Sequence, residues 1–321
     1  MKAAIIMAGM LRNFEHTYWT TKEYILEDKF FENVDIFFSG YPSKKGINYC
    51  EREFNRLYQP KGMNIVNWNS DIEKEIKINT NFNKWRKKNY IYRSSNLINT
   101  LSAWRNRDIA NQLRKKYELE NGLKYDIVIS LRSDFFCFEK IEQTLLKEAI
   151  SNENNIYIPG MWDFKEIDSI AVGDITAFGS SFAMDKYFSL YPKAKKYNAM
   201  NVSSHSETLS GFHIKEMKLN RKFCKRFLAR EYPFSDEDID KLWSNKWDKN
   251  HLYQLMNITD KDTKCSNTHD PLSKEKAIRL IQENKIINIF INIYSIFRAK
   301  FIILKRNKKY SIVDKIKKYI N

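Results

Sequence analysis

Short apolar runs alternate with helical patterns along the first 131 residues, and this alternation constrains the fold more than any other feature of the sequence. The apolar runs lie at residues 3–8, 34–38, 64–67 and 127–131, of which the third is the weakest and the fourth the strongest. Patterns of helical period separate them, at residues 17–27, 51–58 and 96–119, and Gly122 then provides a stop. Such an alternation predicts an α/β fold with a mostly parallel sheet covered by helices.

The pattern is less regular beyond residue 159. A strand or two is predicted near residues 171–178, followed by a helix from about Ser181. A further helix carries Leu209, Phe212 and Met217, and another has Ser235 as its N-cap and acidic residues in its first turn. We expect these elements to pack against the first half as part of one domain.

The composition excludes several classes of protein. Of 321 residues, 43% are hydrophobic and 14% aromatic, which excludes a disordered chain. The four cysteines are far apart and form no C-x-x-C pair, so neither a zinc knuckle nor a redox motif is indicated, and a reducing cytoplasmic location is predicted. The sequence has no G-x-x-x-x-G-K phosphate loop, which argues against a P-loop kinase.

Much of the positive charge lies in the C-terminal tail, defined here as residues 276–321. This tail has twelve Lys or Arg and two acidic residues, a net charge of +10 out of +16 for the whole chain. Its apolar stretch at residues 285–304 contains Arg298 and Lys300, which disfavour a membrane span. We therefore predict a basic amphipathic segment that binds the surface of a membrane. The alternatives are a C-terminal helix that packs on the domain with a solvated basic face, and binding to nucleic acid.

The fourth apolar run ends in charged residues and then resumes. Residues 125–138 read YDIVISLRSDFFCF, in which Arg132-Ser133-Asp134 interrupts the hydrophobic residues. In open sheets of this kind, ligands bind outside the carboxyl ends of the strands. A carboxylate there can hold Mg²⁺ or Mn²⁺ against the phosphates of a nucleotide-sugar, and an adjacent arginine can donate two hydrogen bonds to a phosphate. Both groups would stabilise negative charge on a departing diphosphate.

A helix followed by YDIVISLRSDFF resembles the GT-A fold of nucleotide-diphospho-sugar glycosyltransferases, in which such a strand ends in an Asp-X-Asp metal motif. Asp134 matches the second aspartate of that motif, whereas Arg132 stands at the first position. The Arg-Ser-Asp form is similar to that of WavE-like bacterial transferases, which build lipopolysaccharide or capsule. Further segments resemble the same subset in the same order: IIMAGMLRNF, NVDIFFSGYP, GDITAFGSSFAMDKYFSLY and HSETLSGF. The resemblance spans residues 1–220.

The resemblance implies a glycosyltransferase that moves a sugar from a nucleotide-diphospho-sugar to a bacterial surface glycan, with a lipid-linked or oligosaccharide acceptor. Gly9, Arg12, Arg132 and Asp134 would bind the nucleotide, and Asp134 would also hold Mg²⁺ or Mn²⁺, with one ligand fewer than Asp-X-Asp supplies.

The implied organisation is a nucleotide-sugar-binding half at residues 1–160, an acceptor-side half at 161–270 and basic amphipathic C-terminal helices at 271–321. Together with the basic tail, the resemblance places the enzyme in the cytoplasm, peripherally bound to the inner membrane.

Transfer of a sugar with inversion needs a base that takes the proton of the acceptor hydroxyl, and Asp or Glu usually serves. Asp174 and Glu207 are the candidates, because each lies in an acceptor-side segment beside small or aromatic residues. Asp163 and Asp168 are less favoured. Retention of configuration stays open as the alternative.

Histidine and tryptophan residues supply the remaining candidates. His205 or His213 would complete a metal shell, although a histidine is more often structural. Trp162, which lies in a predicted loop, is the better platform for a sugar ring, whereas Trp104 has the spacing of a core residue.

Two other functions are compatible with the sequence. A pI of 9.4 with interleaved aromatic residues would suit a nucleic-acid-binding protein, but most of the surplus charge lies in the tail and no nucleic-acid-binding motif is present. Nucleic acid is therefore not the favoured partner. A nucleotidyltransferase on a similar sheet is the second alternative.

Overall fold

The computed structural model describes residues 1–83, 97–159, 171–225 and 227–230. Its strands and helices, in chain order, are β1 (Lys2–Met10), α1 (Phe14–Thr21), β2 (Asn33–Tyr41), α2 (Ile47–Tyr58), β3 (Gly62–Ile65), α3 (Ser70–Thr80), α4 (Leu97–Asn121), β4 (Ile127–Leu131), β5 (Phe135–Cys137), α5 (Gln143–Ser151), β6 (Asn155–Pro159), β7 (Ala177–Ser180), α6 (Ser181–Phe188), α7 (Leu190–Ala199), α8 (Ser206–Glu216), β8 (Asn220–Cys224) and β9 (Leu228–Arg230). A π-helical turn at Lys22–Leu26 continues α1.

Seven of the described strands form one sheet, in the order β3-β2-β1-β4-β7-β6-β8. Neighbouring strands are parallel except where β7 pairs with β4 and with β6. The carboxyl ends of the other six strands and the amino end of β7 therefore lie along the same edge, named here the carboxyl edge. The predicted α/β fold class, with a mostly parallel sheet covered by helices, is confirmed.

Helices cover both faces of the sheet, which explains the unbroken apolar runs of its central strands. In β1, the side chains of Ala3, Ile5 and Met7 pack into one core cluster together with α1, α2 and α5. Ala4 and Ile6 point to the other face and pack with α3, α4 and the helices α6 to α8. All five residues are fully buried, because successive side chains of a strand alternate between two covered faces.

A second, two-stranded sheet explains why hydrophobic residues resume after Asp134. β5 pairs antiparallel with β9, and the side chains of Phe135, Phe136 and Cys137 are buried there. The segment Arg132-Ser133-Asp134 is therefore the turn between the central strand β4 and a strand of another sheet. Its charged side chains lie at the carboxyl edge because the turn does.

Several elements differ from the sequence prediction. The third strand lies at Gly62–Ile65 and not at residues 64–67, and the strand expected near 171–178 lies at Ala177–Ser180. Helices α3, α5 and α7 and strands β5, β6, β8 and β9 were not predicted. Only Ile76 and Thr80 are buried in α3, which is too few to give a clear apolar period. The start of this helix is stabilised by the N-cap residue Asn69.

None of the described helices combines the length and the apolar character needed to cross a bilayer. The basic tail and the helix predicted at Ser235 lie outside the described residues.

Candidate active site

The residues predicted to bind the nucleotide or to take up the proton lie at the carboxyl edge of the sheet. Arg12 follows β1, and Asp134 follows β4 in the turn described above. Because β7 is antiparallel to its neighbours, Asp174, which precedes it, belongs to the same edge. Ser206, the first residue of α8, donates a hydrogen bond to Asp174. This contact brings Glu207, in the first turn of α8, to the same edge.

Asp134 is bound by two guanidinium groups. Arg132 contacts both carboxylate oxygens, with Nε donating to Oδ1 at 2.8 Å and Nη2 donating to Oδ2 at 2.7 Å. Arg12 donates from Nη2 to Oδ2 at 2.9 Å. The side chain of Asp134 is 8% exposed, whereas that of Arg12 is 49% exposed. These three residues, named here the arginine–aspartate cluster, bury the carboxylate and leave the Arg12 side chain open to solvent.

The pKa values in this cluster follow from its ion pairs. Burial alone would raise the pKa of Asp134, but the hydrogen bonds and charge of Arg132, together with the charge of Arg12, lower it. Burial disfavours the charged form of Arg132, but the hydrogen bond and charge of Asp134, and then the charge of Asp174, raise its pKa. With Asp134 ionised, the cluster carries one net positive charge.

Helix α1 holds the turn in place. Thr17 donates from Oγ1 to the carbonyl oxygen of Ser133 at 2.5 Å, and Oγ1 of Thr20 accepts from the backbone N–H of Cys137 at 3.1 Å. The guanidinium group of Arg132 lies over the ring of Phe135, 5.2 Å from its centroid. The turn is therefore bound at its backbone and at its first side chain.

A second group of side chains, named here the carboxylate cluster, comprises Arg107, Asp174, His205, Ser206 and Glu207. Oδ2 of Asp174 accepts the hydrogen bond of Ser206. Arg107, on α4, donates from Nη2 to the carbonyl oxygen of Asp174 at 2.6 Å, and its Nη1 lies 3.7 Å from Oδ2 of Asp174. Asp174 is thus held through its backbone and its side chain, by residues from two different helices.

Glu207 has a pKa raised from 4.5 to about 7 by burial, and further by the charge of Asp174. Its Oε2 lies 3.0 Å from Nε2 of His205, and burial lowers the pKa of this histidine to about 4. The other ring nitrogen, Nδ1, is hydrogen-bonded to Thr208 Oγ1 at 3.1 Å. His205 is therefore neutral at pH 7, whereas Glu207 can gain or lose a proton near neutral pH, as suits a general base.

The two clusters are close enough to influence each other electrostatically. The charge of Asp174 raises the pKa of Arg132 in the arginine–aspartate cluster, after the larger effects of burial and of Asp134. The same charge adds to the effect of burial on Glu207. One edge of the sheet therefore carries both cationic donors and a carboxyl group that can accept a proton near neutral pH, and the charge of Asp174 acts on both.

Gly9 has a backbone role that the structure makes explicit. It has a φ of +117° and lies in register with Gly40 of β2. A Cβ at position 40 would lie 1.7 Å from the carbonyl oxygen of Gly9, so Gly40 is needed for β1 and β2 to approach each other, whereas Gly9 is needed for its positive φ. The predicted contact of Gly9 with a nucleotide stays a prediction.

The donors at this edge do not fit a divalent cation. Both oxygens of Asp134 already accept hydrogen bonds from guanidinium groups. Among the described residues, no three His, Cys, Asp or Glu side chains are grouped so that they could hold a metal ion. Mg²⁺ and Mn²⁺ prefer several oxygen ligands, and a cation here would face two fixed positive charges. We therefore assign no chemical step to a metal.

The remaining predicted residues have other positions. His213 is fully buried, with Nδ1 hydrogen-bonded to the Tyr197 hydroxyl at 2.7 Å and Nε2 to the carbonyl oxygen of Lys186 at 2.8 Å, which is a structural role. Trp104 is fully buried in the core, as its spacing predicted. Trp162, Asp163 and Asp168 lie outside the described residues.

Sequence reasoning missed Arg107 and the pairing of His205 with Glu207. Arg107 is 5% exposed, and its guanidinium group lies 4.4 Å from the ring centroid of Trp104. An arginine three positions after a core tryptophan on a long helix was a usable signal, since it falls on the same helix face. The pairing of His205 with Glu207 had no comparable signal, because it depends on how α8 begins.

A cavity of about 380 Å³ lies elsewhere and shares no residue with the two clusters. Its walls include Tyr24, Leu145, Phe178, Cys224 and Phe227. The site is therefore assigned by its charges and by its place in the sheet, and not by concavity.

No protein-family model matches the chain, and no curated protein matches it. Among solved structures, the apo form of mouse xyloside xylosyltransferase 1 is similar to 68% of this chain and 82% of its own, at 9% sequence identity and a TM-score of 0.35. A similarity at this identity and TM-score assigns no activity to the chain, so the function has to follow from the residues of the site.

Proposed function

We propose that this chain is a glycosyltransferase that moves a sugar from a nucleotide-diphospho-sugar to the hydroxyl group of an acceptor. The observation that supports this most directly is the pairing of two groups at one sheet edge. Arg12 and Arg132 offer hydrogen bonds to an anion, and Glu207 at the same edge has a pKa of about 7. The charge of Asp174 acts on both Arg132 and Glu207 and so couples the two groups. Sugar transfer needs both: an acceptor for one proton and stabilisation of a departing diphosphate.

In the proposed reaction, the acceptor hydroxyl gives its proton to Glu207 while its oxygen forms a bond with the anomeric carbon. The bond between that carbon and the diphosphate oxygen breaks, and the electron pair leaves with the nucleoside diphosphate. Arg12 and Arg132 stabilise the charge that develops on this leaving group. The scheme describes transfer with inversion, in which one base is sufficient.

Of the two carboxylates predicted as bases, Glu207 is the better proton acceptor. Asp174 is engaged by the Ser206 hydroxyl and by Arg107, which hold it in place. Glu207 is paired with a neutral histidine, and its pKa of about 7 is close to the pH at which a base works best. We therefore assign proton transfer to Glu207, and to Asp174 and Arg107 the role of positioning α8 and its carboxyl group.

The proposal extends to the acceptor and to the location of the enzyme in the cell. The Arg-Ser-Asp segment resembles bacterial enzymes of lipopolysaccharide or capsule synthesis, and the tail carries a net charge of +10. A lipid-linked or oligosaccharide acceptor at the inner membrane, reached by a cytoplasmic enzyme that binds the membrane surface through its tail, fits both features.

A thermal-shift screen with UDP-, GDP- and CMP-sugars, each with and without Mn²⁺, tests the proposed activity. We expect one nucleotide to raise Tm by several degrees, since a ligand at about one hundred times its Kd stabilises a protein by about 2.7 kcal/mol. Glu207→Gln should keep that shift and lose sugar transfer. Stabilisation by DNA or RNA with no response to any nucleotide-sugar would instead favour a nucleic-acid-binding protein.

A further inference from the structure

We propose that the diphosphate of the donor is bound by the guanidinium groups of Arg12 and Arg132 without a divalent cation, and that Asp134 holds and orients these two groups. This inference rests on the proposed function. The proposed site differs from the Asp-X-Asp pattern, because the carboxylate that would bind a metal there instead accepts hydrogen bonds from two arginines.

The Asp134 carboxylate is already occupied by cationic donors. It accepts three charge-assisted hydrogen bonds of 2.7 to 2.9 Å, two from Arg132 and one from Arg12. A metal ion bound at either oxygen would have to displace a guanidinium group and remain next to two arginines. An anion, in contrast, would be attracted to the cluster, because the cluster carries one net positive charge.

Both arginines have further N–H donors beyond those that bind Asp134. Within the described part of the chain, Arg12 contacts Asp134 through Nη2 and has no other acceptor for its Nε and Nη1, and its side chain is 49% exposed. Arg132 uses Nε and Nη2, no described residue accepts from its Nη1, and its side chain is 28% exposed. A guanidinium group presents five N–H donors in a plane that matches phosphate oxygens.

The guanidinium group of Arg132 is held in position before any ligand binds. Arg132 is fixed by two hydrogen bonds to Asp134 and by contact with the ring of Phe135. The turn beneath it is bound to α1 through Thr17. Donors held in position before the substrate arrives stabilise the developing charge without reorganising during the reaction. In this arrangement the arginine pair carries out the charge stabilisation that a divalent cation provides in other transferases.

The test is calorimetric titration of the full-length protein with UDP and with GDP, in EDTA and again with excess Mn²⁺. We expect one of the two to bind in EDTA with a Kd within about threefold of that in Mn²⁺, since no metal contributes to the contact. Arg12→Gln and Arg132→Gln should each weaken that binding about tenfold or more, the effect of losing one charge-assisted hydrogen bond. Arg56→Gln, which removes an exposed arginine paired with Glu53 on α2, is the matched control and should leave Kd unchanged.

Each result decides between alternatives. Two outcomes would overturn metal-free binding of the diphosphate by the arginine pair: binding that requires Mn²⁺, or binding in EDTA with the same Kd in both arginine variants. Either outcome would leave the glycosyltransferase proposal standing. If neither nucleotide binds under any condition, and no other nucleotide does so in the screen, the proposed function itself fails. Arg12→Gln keeps the test valid should Arg132→Gln fail to fold, because the Arg12 side chain is half exposed.

Discussion

At the scale of single residues, two carboxyl groups on one sheet edge have pKa values shifted in opposite directions. Burial acts on both, but the guanidinium groups of Arg132 and Arg12 lower the pKa of Asp134, whereas Glu207 has a neutral histidine as its partner and its pKa rises to about 7. Environments that separate two pKa values separate two roles. Asp134 is a permanent anion that orients cations, and Glu207 can take up a proton.

The first prediction concerns the pH dependence of Glu207. Because the base must be ionised and its pKa is about 7, we expect the transfer rate to rise with pH and to level off above pH 7. Asp174→Asn should lower the rate and move its rise to lower pH, because it removes a charge that raises the Glu207 pKa, whereas Glu207→Gln should abolish transfer. An unchanged rate in Glu207→Gln would remove it from the chemistry.

The raised pKa of Glu207 also makes the stability of the fold depend on pH. The folded state binds the Glu207 proton more tightly than the unfolded chain, so this stabilising contribution is present at low pH and is lost as pH rises through about 7. At pH 8, Glu207→Gln should therefore be at least as stable as the unmodified protein in urea unfolding. A clear loss of stability at pH 8 would mean that the ionised carboxylate makes a favourable contact.

At the scale of elements, helix α1 determines where the Arg132-Ser133-Asp134 turn lies. Buried threonines of α1 bind the turn and Cys137, the last residue of β5, and the turn links the two sheets. The position and the rigidity of the arginine pair therefore depend on threonine side chains, which carry no charge.

The prediction at this scale is that Thr17→Val loosens the turn. The substitution removes the hydrogen bond to the carbonyl oxygen of Ser133 and should cost about 1 to 3 kcal/mol of stability, together with a severalfold loss of nucleotide affinity. Thr80→Val is the matched control, because Thr80 is also buried and donates to a backbone carbonyl, that of Ile76, within α3. It should lose similar stability and keep its nucleotide affinity. Equal affinity in both variants would contradict a positioning role for Thr17.

At the scale of the whole molecule, charge is distributed unevenly along the chain. Residues 276–321 carry +10 of the net +16, and the rest of the chain is only weakly basic. An enzyme whose acceptor lies in a membrane gains from such a segment, since each Lys or Arg near an anionic surface contributes about 1 kcal/mol of binding.

The prediction at this scale is that a chain ending before Lys285 no longer sediments with anionic vesicles. The full chain should bind phosphatidylglycerol vesicles, bind neutral phosphatidylcholine vesicles much less, and dissociate as salt is raised, because screening weakens the attraction. The truncated chain should keep its response to the nucleotide. Undiminished sedimentation of the truncated chain with anionic vesicles would refute the role of the tail.

Local patterns in the sequence were sufficient for the fold class and for the position of the central motif. The apolar run at residues 127–131 is fully buried on both faces and is therefore readable as a strand, and the charged residues that follow it had to lie at a sheet edge. Helix α3 and strand β6 were not readable in this way. Only Ile76 and Thr80 are buried in α3. Strand β6 is as long and as buried as β4, but its sequence NIYIP begins with a polar residue and ends in proline, so it is not a continuous apolar run.

The sequence by itself determined which residue types reach the carboxyl edge, because strand ends and helix starts are local properties. Only the tertiary structure decided their partners. Arg12 and Asp134 are 122 positions apart, and Arg107 and Asp174 are 67 apart, so no local pattern relates them. The assignment of Asp134 to the arginine pair and of Glu207 to proton transfer depends on burial and on charges brought together by folding, and these quantities do not exist until the sheet has formed.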